Sequence, residues 1–323
     1  SYYLSDGFNE RAMGFFVQNS MTGAGYGRDI TAGAYSEGNF ASGHLTANSG
    51  SNYFIVTSPE GEDLNKAPSE RVNADDTVIG IGNCYISDYT VDLSVGAIPT
   101  VSLTLEGANM NSVVPSAAGD SFEFQGPAVD QEAGTALNPV VELPNPTLDG
   151  GITGVNANGG QGPAITALRP GDVTVNLNNI HGESLISLSG DGNAHVQSCS
   201  ISLPLSRSPI DRLGSRFPFA REVDFPVNAT MNVSAIVNNS HAQNLANILD
   251  SGVQSATVTV NDKNGTNAII YTMKGLKIDS QSFSSSIGAN KSVDLTLYTQ
   301  VGGPQDVQNG VFMSGVGFNP VFS

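Results

Sequence analysis

The sequence predicts a mainly β fold with one short helix, and three observations carry that reading. First, apolar and polar residues alternate over long runs. In Ser200-Ile201-Ser202-Leu203-Pro204-Leu205 the apolar side chains fall two apart, and Ala229, Met231, Val233 and Ala235 alternate with Asn228, Thr230, Asn232 and Ser234. A period of two marks strands with one buried and one polar face. Second, Gly is frequent (37 of 323 residues), Trp is absent, and Ser, Thr and Asn fill the polar positions, the composition of turn-rich β folds. Third, Ser240 to Leu249 carries the best helical signature: Ser240 as cap, Leu245, Ile248 and Leu249 as the apolar stripe, Gly252 as the stop.

Taken in order, residues 1–50 are rich in Gly, Ser, Ala, Asn and Tyr and read as an arm or loop, with short strands at Phe15-Phe16-Val17 and Ala41 to Leu45. Tyr53 to Thr57 is the first firm strand, and a charged turn runs from Ser58 to Asp76. Strands at Val78 to Val95 and Pro99 to Glu106 follow, with Val101, Leu103 and Leu105 on one face and Ser102, Thr104 and Glu106 on the other. Ala108 to Gly162 is broken by Pro115, Pro127, Pro139, Pro144 and Pro146 and reads as a long loop and linker, with a domain boundary at Asn156 to Gly162. The second half opens with strands at Asp172 to Leu177 and Ser184 to Leu188, then a hairpin from Cys199 to Val237. Beyond the helix, Ala256 to Val260 and Ala268 to Met273 turn at Asn264-Gly265, a strong hairpin signal. Gly275 to Ser286 and Ser292 to Thr299 form the last pair, and Gly302 to Ser323 shows no element.

The Cys199–Val237 hairpin brackets an insert, Ser206 to Pro226, that holds four of the chain's 13 basic residues. Phe217, Pro218, Phe219 and Phe225 make it too apolar for a merely solvated loop. Arg207, Arg212, Arg216, Phe217, Phe219 and Arg221 are therefore expected at a contact between subunits, because an arginine fork pairs with carboxylates and stacks on aromatic rings. The acidic partner is expected to be another copy of the chain. Net charge is −17, with no Lys or Arg between Val72 and Leu168, which argues against a protein that holds nucleic acid through its phosphates.

The two hairpins echo each other. Cys84-Tyr85-Ile86-Ser87 is answered by Cys199-Ser200-Ile201-Ser202, and Pro99 before Val101-Leu103-Leu105 by Pro226 before Ala229-Met231-Val233. The register after Pro slips by one and the first hairpin lacks the insert. Recurrence of Cys and Pro at corresponding points predicts a duplication, with Cys84 and Cys199 as buried free thiols in matching places; a disulfide between them is the alternative.

The order of hairpin, short helix, hairpin, Lys274-Gly275 turn, Leu276 to Gly288 and a last strand resembles the tail tube (major tail protein) family of tailed bacteriophages, and more loosely the tubes of contractile injection machines. Tyr271-Thr272-Met273-Lys274-Gly275, with Gln281-Ser282-Phe283 and Gly288, carries the closest match. The resemblance covers residues 194–300 well and 78–107 in part. It implies a tail-tube-like β-sandwich or partial barrel whose sheets join between neighbours into rings, with rings stacked into a hollow tube in the virion. It also implies tail sheath, tail terminator and baseplate proteins as further partners and assembly in the host cytoplasm. The expected organisation is a Gly-rich arm (1–50), a first tube-like domain with a long loop (51–160) and a second (161–323). Two such domains imply a trimeric ring of pseudo-sixfold symmetry; a single one implies a hexamer.

A tube that conducts DNA must not hold it, so a polar, acidic lumen is expected. Asp92, Ser94, Ser102, Thr104 and Glu106 from one hairpin, and Ser200, Ser202, Asn228, Thr230 and Asn232 from the other, are the lumen-facing candidates. The plain solvated face of a sandwich would show the same pattern.

Catalysis finds little support. His44, His181, His195 and His241 are scattered, the Gly-rich stretch Gly23 to Gly27 lacks a phosphate-loop lysine, and Asn261 to Gly265 is a turn rather than a calcium loop. No enzyme activity, cofactor or metal is expected. No apolar stretch is long enough to span a membrane, and Ser1 to Gly7 has neither the basic region nor the apolar core of a signal peptide. The alternatives are another ring protein of the tail end or baseplate, or a β-sandwich adhesin or carbohydrate-binding module. The absence of Trp weighs against a sugar platform.

Overall fold

The alternating runs form strands, and the strands assemble into two large sheets packed face to face. The computed structural model describes residues 1–4, 7, 9–10, 13–19, 25–26, 39–45, 50–60, 76–114, 123–129, 140–142, 173–178, 184–187, 194–214, 218, 220–237, 255–261, 267–284, 291–303 and 306–315. In chain order the elements are β1 (Tyr2–Tyr3), β2 (Val17–Asn19), β3 (Gly25–Tyr26), α1 (Ser42–Leu45), β4 (Ser51–Thr57), β5 (Thr77–Ser94), β6 (Thr100–Glu106), β7 (Asn109–Val113), β8 (Glu123–Gln125) and β9 (Val140–Glu142). They continue with β10 (Val173–Asn178), β11 (Ser184–Ser187), β12 (Ala194–Pro204), β13 (Arg207–Ile210), β14 (Ala220–Val223), β15 (Val227–Val237), β16 (Ser255–Asn261), β17 (Asn267–Lys274), β18 (Lys277–Ser284), β19 (Ser292–Val301) and β20 (Gly310–Gly315).

The first sheet runs β1-β6-β5-β12-β15-β19-β18, with β4 and β7 flanking the N-terminal half of β5. The second runs β11-β10-β16-β17-β20-β2-β3. Their facing sides make one core: Tyr89, Val91, Leu93, Cys199, Ile201, Leu203, Met231, Val233, Leu295 and Leu297 from the first meet Val175, Leu177, Val258, Val260, Ile269, Tyr271, Met273 and Met313 from the second. Strands from 51–160 and from 161–323 share both the first sheet and this core. So do parts of residues 1–50: Leu4, Phe15 and Phe40 are fully buried in the same core.

β5 is the spine of the first sheet and carries a bulge. Ile86 pairs with Leu105 and Asp88 with Thr104, leaving Ser87 without an opposite number. The buried residues are even-numbered before it (Val78, Cys84, Ile86) and odd-numbered after it (Tyr89, Val91, Leu93), the effect of one extra residue in a two-residue repeat. Near its start Gly82 lets the 123–129 segment press in, because a Cβ there would meet the Val129 carbonyl at 2.5 Å.

The echoing hairpins, β5–β6 and β12–β15, lie back to back. β12 pairs antiparallel with β5, Cys199 opposite Leu93 and Ile201 opposite Val91. In the order β6-β5-β12-β15 the two hairpins extend outward from the β5–β12 pair in opposite directions. Cys84 lies nine residues before Leu93 on the same strand, roughly 30 Å away at the strand rise per residue. That distance is far beyond the reach of a disulfide, and both thiols are free and buried.

Three expectations are corrected. Ala41 to Leu45 is not a strand: Ser42–Leu45 is a helical turn in which His44 and Leu45 donate to the Ala41 carbonyl. Period alone does not separate strand from helix in so short an apolar run. Ala108 to Gly162 is not wholly irregular, since β7 prolongs β6 along β5 and β8 pairs with β9. Gly302 to Ser323 contains β20, held between β17 and β2. The helix expected at Ser240 to Leu249, the Asn264-Gly265 turn and the boundary at Asn156 to Gly162 lie outside the described residues.

Candidate functional site

The outer face of the first sheet is a field of short polar side chains in register across six strands. One row runs Thr100, Asp92, Ser200, Asn232, Thr296 and Ser280. Its neighbour runs Ser102, Thr90, Ser202, Thr230, Tyr298 and Lys277, and a third runs Ser94, Ser198, Ser234, Asp294 and Ser282. The pleat sends every second residue outward, so the core on the other face fixes these rows. Hydrogen bonds tie them sideways: Thr296 Oγ1 donates to Asn232 Oδ1 (3.0 Å), and Thr90 Oγ1 to Ser202 Oγ (3.4 Å). Asp88, Asp92 and Asp294 are carboxylates of this face, and Lys277 stands at one corner.

All ten candidates (Asp92, Ser94, Ser102, Thr104, Glu106, Ser200, Ser202, Asn228, Thr230 and Asn232) stand on this face, and none is buried. Glu106 differs in its company, because it sits opposite Tyr85 at the edge where the basic insert lands. The ten omit Asp88, Thr90, Thr100, Ser198 and Ser234 of the central strands and every residue of β18 and β19. Asp294, Thr296, Tyr298 and Gln300 alternate with Val293, Leu295 and Leu297 as clearly as any run in the chain. Their alternation reveals a strand but not which strands will be its neighbours.

The insert folds back as a ribbon, β13 against β14, with Arg207 opposite Val223 and Ile210 opposite Ala220. Its base is clamped onto β5 and β6. The Arg207 and Arg221 guanidinium groups lie 4.8 and 5.6 Å from the centre of the Tyr85 ring. Arg221 also pairs with Glu106 at 2.9 Å, and Arg207 donates to the Arg221 carbonyl (2.9 Å) and to the His44 carbonyl. Two guanidinium groups around one ring, one of them tied to a carboxylate, make a stiff base. Arg212 lies at the exposed tip with Asp211, Leu213 and Gly214. Arg216, Phe217 and Phe219 lie outside the described residues.

The thiols do not make a reactive site. Burial pushes Cys84 up to about 11 although Arg221 opposes it, and burial with the nearby Asp92 charge pushes Cys199 up to about 12. Both therefore stay protonated at neutral pH, and a thiol is a poor nucleophile. Among the described residues, no three His, Cys, Asp or Glu side chains are grouped to hold a metal, and no helix is long and apolar enough to cross a membrane.

No family model and no curated protein matches the chain. Solved structures do. The SPP1 tail tube, solved by solid-state NMR and cryo-EM, is 12% identical over 46% of this chain and 79% of its own, with a TM-score of 0.33. A chain of the native gene transfer agent virion is 14% identical over 44% of this chain and 95% of its own, with a TM-score of 0.29. The Hcp1 protein of E. coli EAEC 042 is 11% identical over 45% and 98%, with a TM-score of 0.25. These three matches each span under half of this chain.

Proposed function

We propose that this chain is a virion structural protein, a tail tube subunit that assembles through its own sheet edges into rings and stacked rings, with DNA passing through the lumen. The observation that carries the proposal is the two-faced first sheet and its edges. Its central strands alternate in direction from β6 to β18, so the two edges run opposite ways. Copies related by rotation about one axis then bring β18 of one against β6 of the next as an antiparallel ladder. β1 occupies β6 only at Thr100 and Val101, leaving Ser102 to Glu106 for a neighbour. Repetition buries every such edge, the usual fate of exposed strands in assembled β proteins.

The polar rows then face the lumen. Hydroxyls and amides compete weakly for phosphate and the carboxylates repel it, so DNA slides without being held. The insert is the contact to the next ring, with the tip around Arg212 and Leu213 as its outer end. Tail sheath, tail terminator and baseplate proteins are the further partners, and assembly takes place in the host cytoplasm. Residues 1–50, 51–160 and 161–323 are proposed as an arm and two sequence modules. Rotation about a ring preserves strand direction, whereas β5 and β12 are antiparallel, so the modules do not repeat as two successive ring units; this supports a hexamer over a trimer. A role in the tail end or baseplate uses the same edges.

Electron microscopy of the purified protein at rising concentration is the test. Rings or hollow tubes are expected, with six chains per ring. A monodisperse monomer at every concentration, together with binding in a glycan screen, would replace this reading with the adhesin one.

A further inference from the structure

Resting on the self-assembly reading above, we infer that β1 is the register stop of the seam between neighbouring copies. It holds β18 of one copy against β6 of the next so that Ser284 lies opposite Ser102, Ser282 opposite Thr104 and Ser280 opposite Glu106. A single register follows, and with it a ring of one size.

Side-chain faces exclude half of the registers. On β6, Leu103 and Leu105 pair with the buried Tyr89 and Ile86 and pack against the core, while Ser102, Thr104 and Glu106 alternate with them on the polar face. On β18, Gln281 pairs with the buried Leu295, while Ser280 and Ser282 pair with Thr296 and Asp294 of the polar face. Strands that share a sheet share its faces, so Gln281 belongs opposite a leucine and not opposite Ser102 or Thr104. A slip of one residue turns every position of β18 to the wrong side.

Backbone sterics choose among the registers that remain. Tyr3 and Tyr2 already lie opposite Thr100 and Val101. They are held there: Leu4 is fully buried in the core, its N–H donates to the Pro99 carbonyl at 2.9 Å, and the Tyr2 hydroxyl donates to Glu10 at 2.7 Å. A neighbour's β18 slipped two residues toward β1 puts Ser284 opposite Thr100, in the space that Tyr3 fills. Slipped two residues the other way, it leaves Ser102 and Leu103 unpaired at an edge. Between the two, Ser280 to Ser284 covers Ser102 to Glu106 completely and ends where β1 begins.

Each edge also carries the counter-charge of the other. Lys277 pairs with Tyr298 and Ser280 with Thr296, with Asp279 bulged out between them, so Lys277 precedes Ser280 on the polar face. Across the seam it is diagonal to Glu106, within reach of a long side chain. Lys277 is exposed, and the Glu106 side chain is 50% exposed, with Arg221 at its Oε2 (2.9 Å) and Oε1 turned to the neighbour's lysine. In a closed sheet the stagger between strands sets their tilt and the diameter. A two-residue slip at every seam therefore changes how many copies close the ring.

Thr104→Cys is combined in turn with Ser280→Cys, Ser282→Cys and Ser284→Cys, all exposed positions, and the assembled proteins are oxidised with copper phenanthroline. Within one chain Thr104 is five strand spacings from these serines, roughly 24 Å, so a disulfide reports a neighbour. Cys84 and Cys199 are buried. Ser282→Cys with Thr104→Cys is expected to give a ladder of linked chains on a non-reducing gel, about tenfold stronger than either other pair, because diagonal pairs lie beyond disulfide reach. Deleting residues 1–3 is expected to raise linking of Ser280→Cys with Thr104→Cys about tenfold, since that pair meets once β18 slides over the vacated edge. Stronger linking by Ser280→Cys or Ser284→Cys in the full chain, or no gain on the deletion, overturns the stop and leaves the tube reading standing. Rings in the microscope with no linking by any pair overturn the β6–β18 seam as well. A protein that forms no rings removes the tube reading and the stop together.

Discussion

Three tyrosine hydroxyls and a carboxylate meet at the core, with Tyr89, Tyr271 and Glu10 fully buried and Tyr2 partly so. Tyr89 and Tyr271 share a hydrogen bond of 2.7 Å across the core, and Glu10 accepts from Tyr2 at 2.7 Å and from Tyr89 at 3.5 Å. Burial raises all three phenols well above the usual value of 10.0, with the Glu10 charge adding to it. The sign follows directly: a raised value favours the folded state fully below pH 10, and that stability is lost as pH rises further. Cys84 and Cys199, ordinarily 9.0, act the same way from about pH 9 upward. Thermal melting is therefore expected to be flat from neutral pH to about 9 and to fall steeply beyond it, and Tyr271→Phe should make the fall shallower. By urea denaturation at neutral pH, Tyr89→Phe should cost more than Tyr271→Phe, about 1–2 kcal/mol against about 1, because Tyr89 also reaches Glu10. None of this network is legible in the sequence. Tyr2, Glu10, Tyr89 and Tyr271 are joined only by the packing of two sheets whose order no local pattern encodes.

Elements are where the sequence speaks most clearly. β5, β6, β12, β15 and β16 to β19 all fall where alternation places them, because a strand with one face in a core must repeat every two residues. β7, β9 and β20 go unread. β7 is polar on both faces (Asn109-Met110-Asn111-Ser112-Val113) and follows from pairing with β5, not from any periodicity of its own. The ten polar candidates share a face because alternation assigns a face, whereas strand order, which carries that face across to β18 and β19, is not a local property. Among the described residues β18 ends the sheet, and this allows a sharp test. Successive N–H groups point to opposite sides of a strand, so of Gln281→Pro and Ser282→Pro one removes a bond to β19 and the other a donor at the free edge. One variant is expected to keep the monomer's melting temperature within a few degrees and lose ring formation in the microscope. Ring formation by both variants would refute edge-to-edge joining.

At the scale of the molecule, charge opposes the association that the edges and the tip favour. Each copy carries −17, and at about 0.1 M salt such charges act over about 10 Å. The concentration needed for assembly should therefore fall as NaCl rises from about 20 mM to about 500 mM, followed by light scattering; a rise would mean that ion pairs rather than apolar contacts dominate the seams. Lastly, Ser87 makes β5 behave like a reading frame. Inside and outside are spelled in pairs of residues, and against β6 Ser87 is a spare letter. Its deletion restores a continuous ladder with Ile86 inside, Asp88 outside and Tyr89 inside, so the message survives. Deletion of Thr90 shifts the frame: on one side of the gap every core residue turns toward water and every polar one toward the core. Between Asp88 and Ser94, where β5 pairs without a break on both sides, no residue can be lost without a compensating insertion nearby.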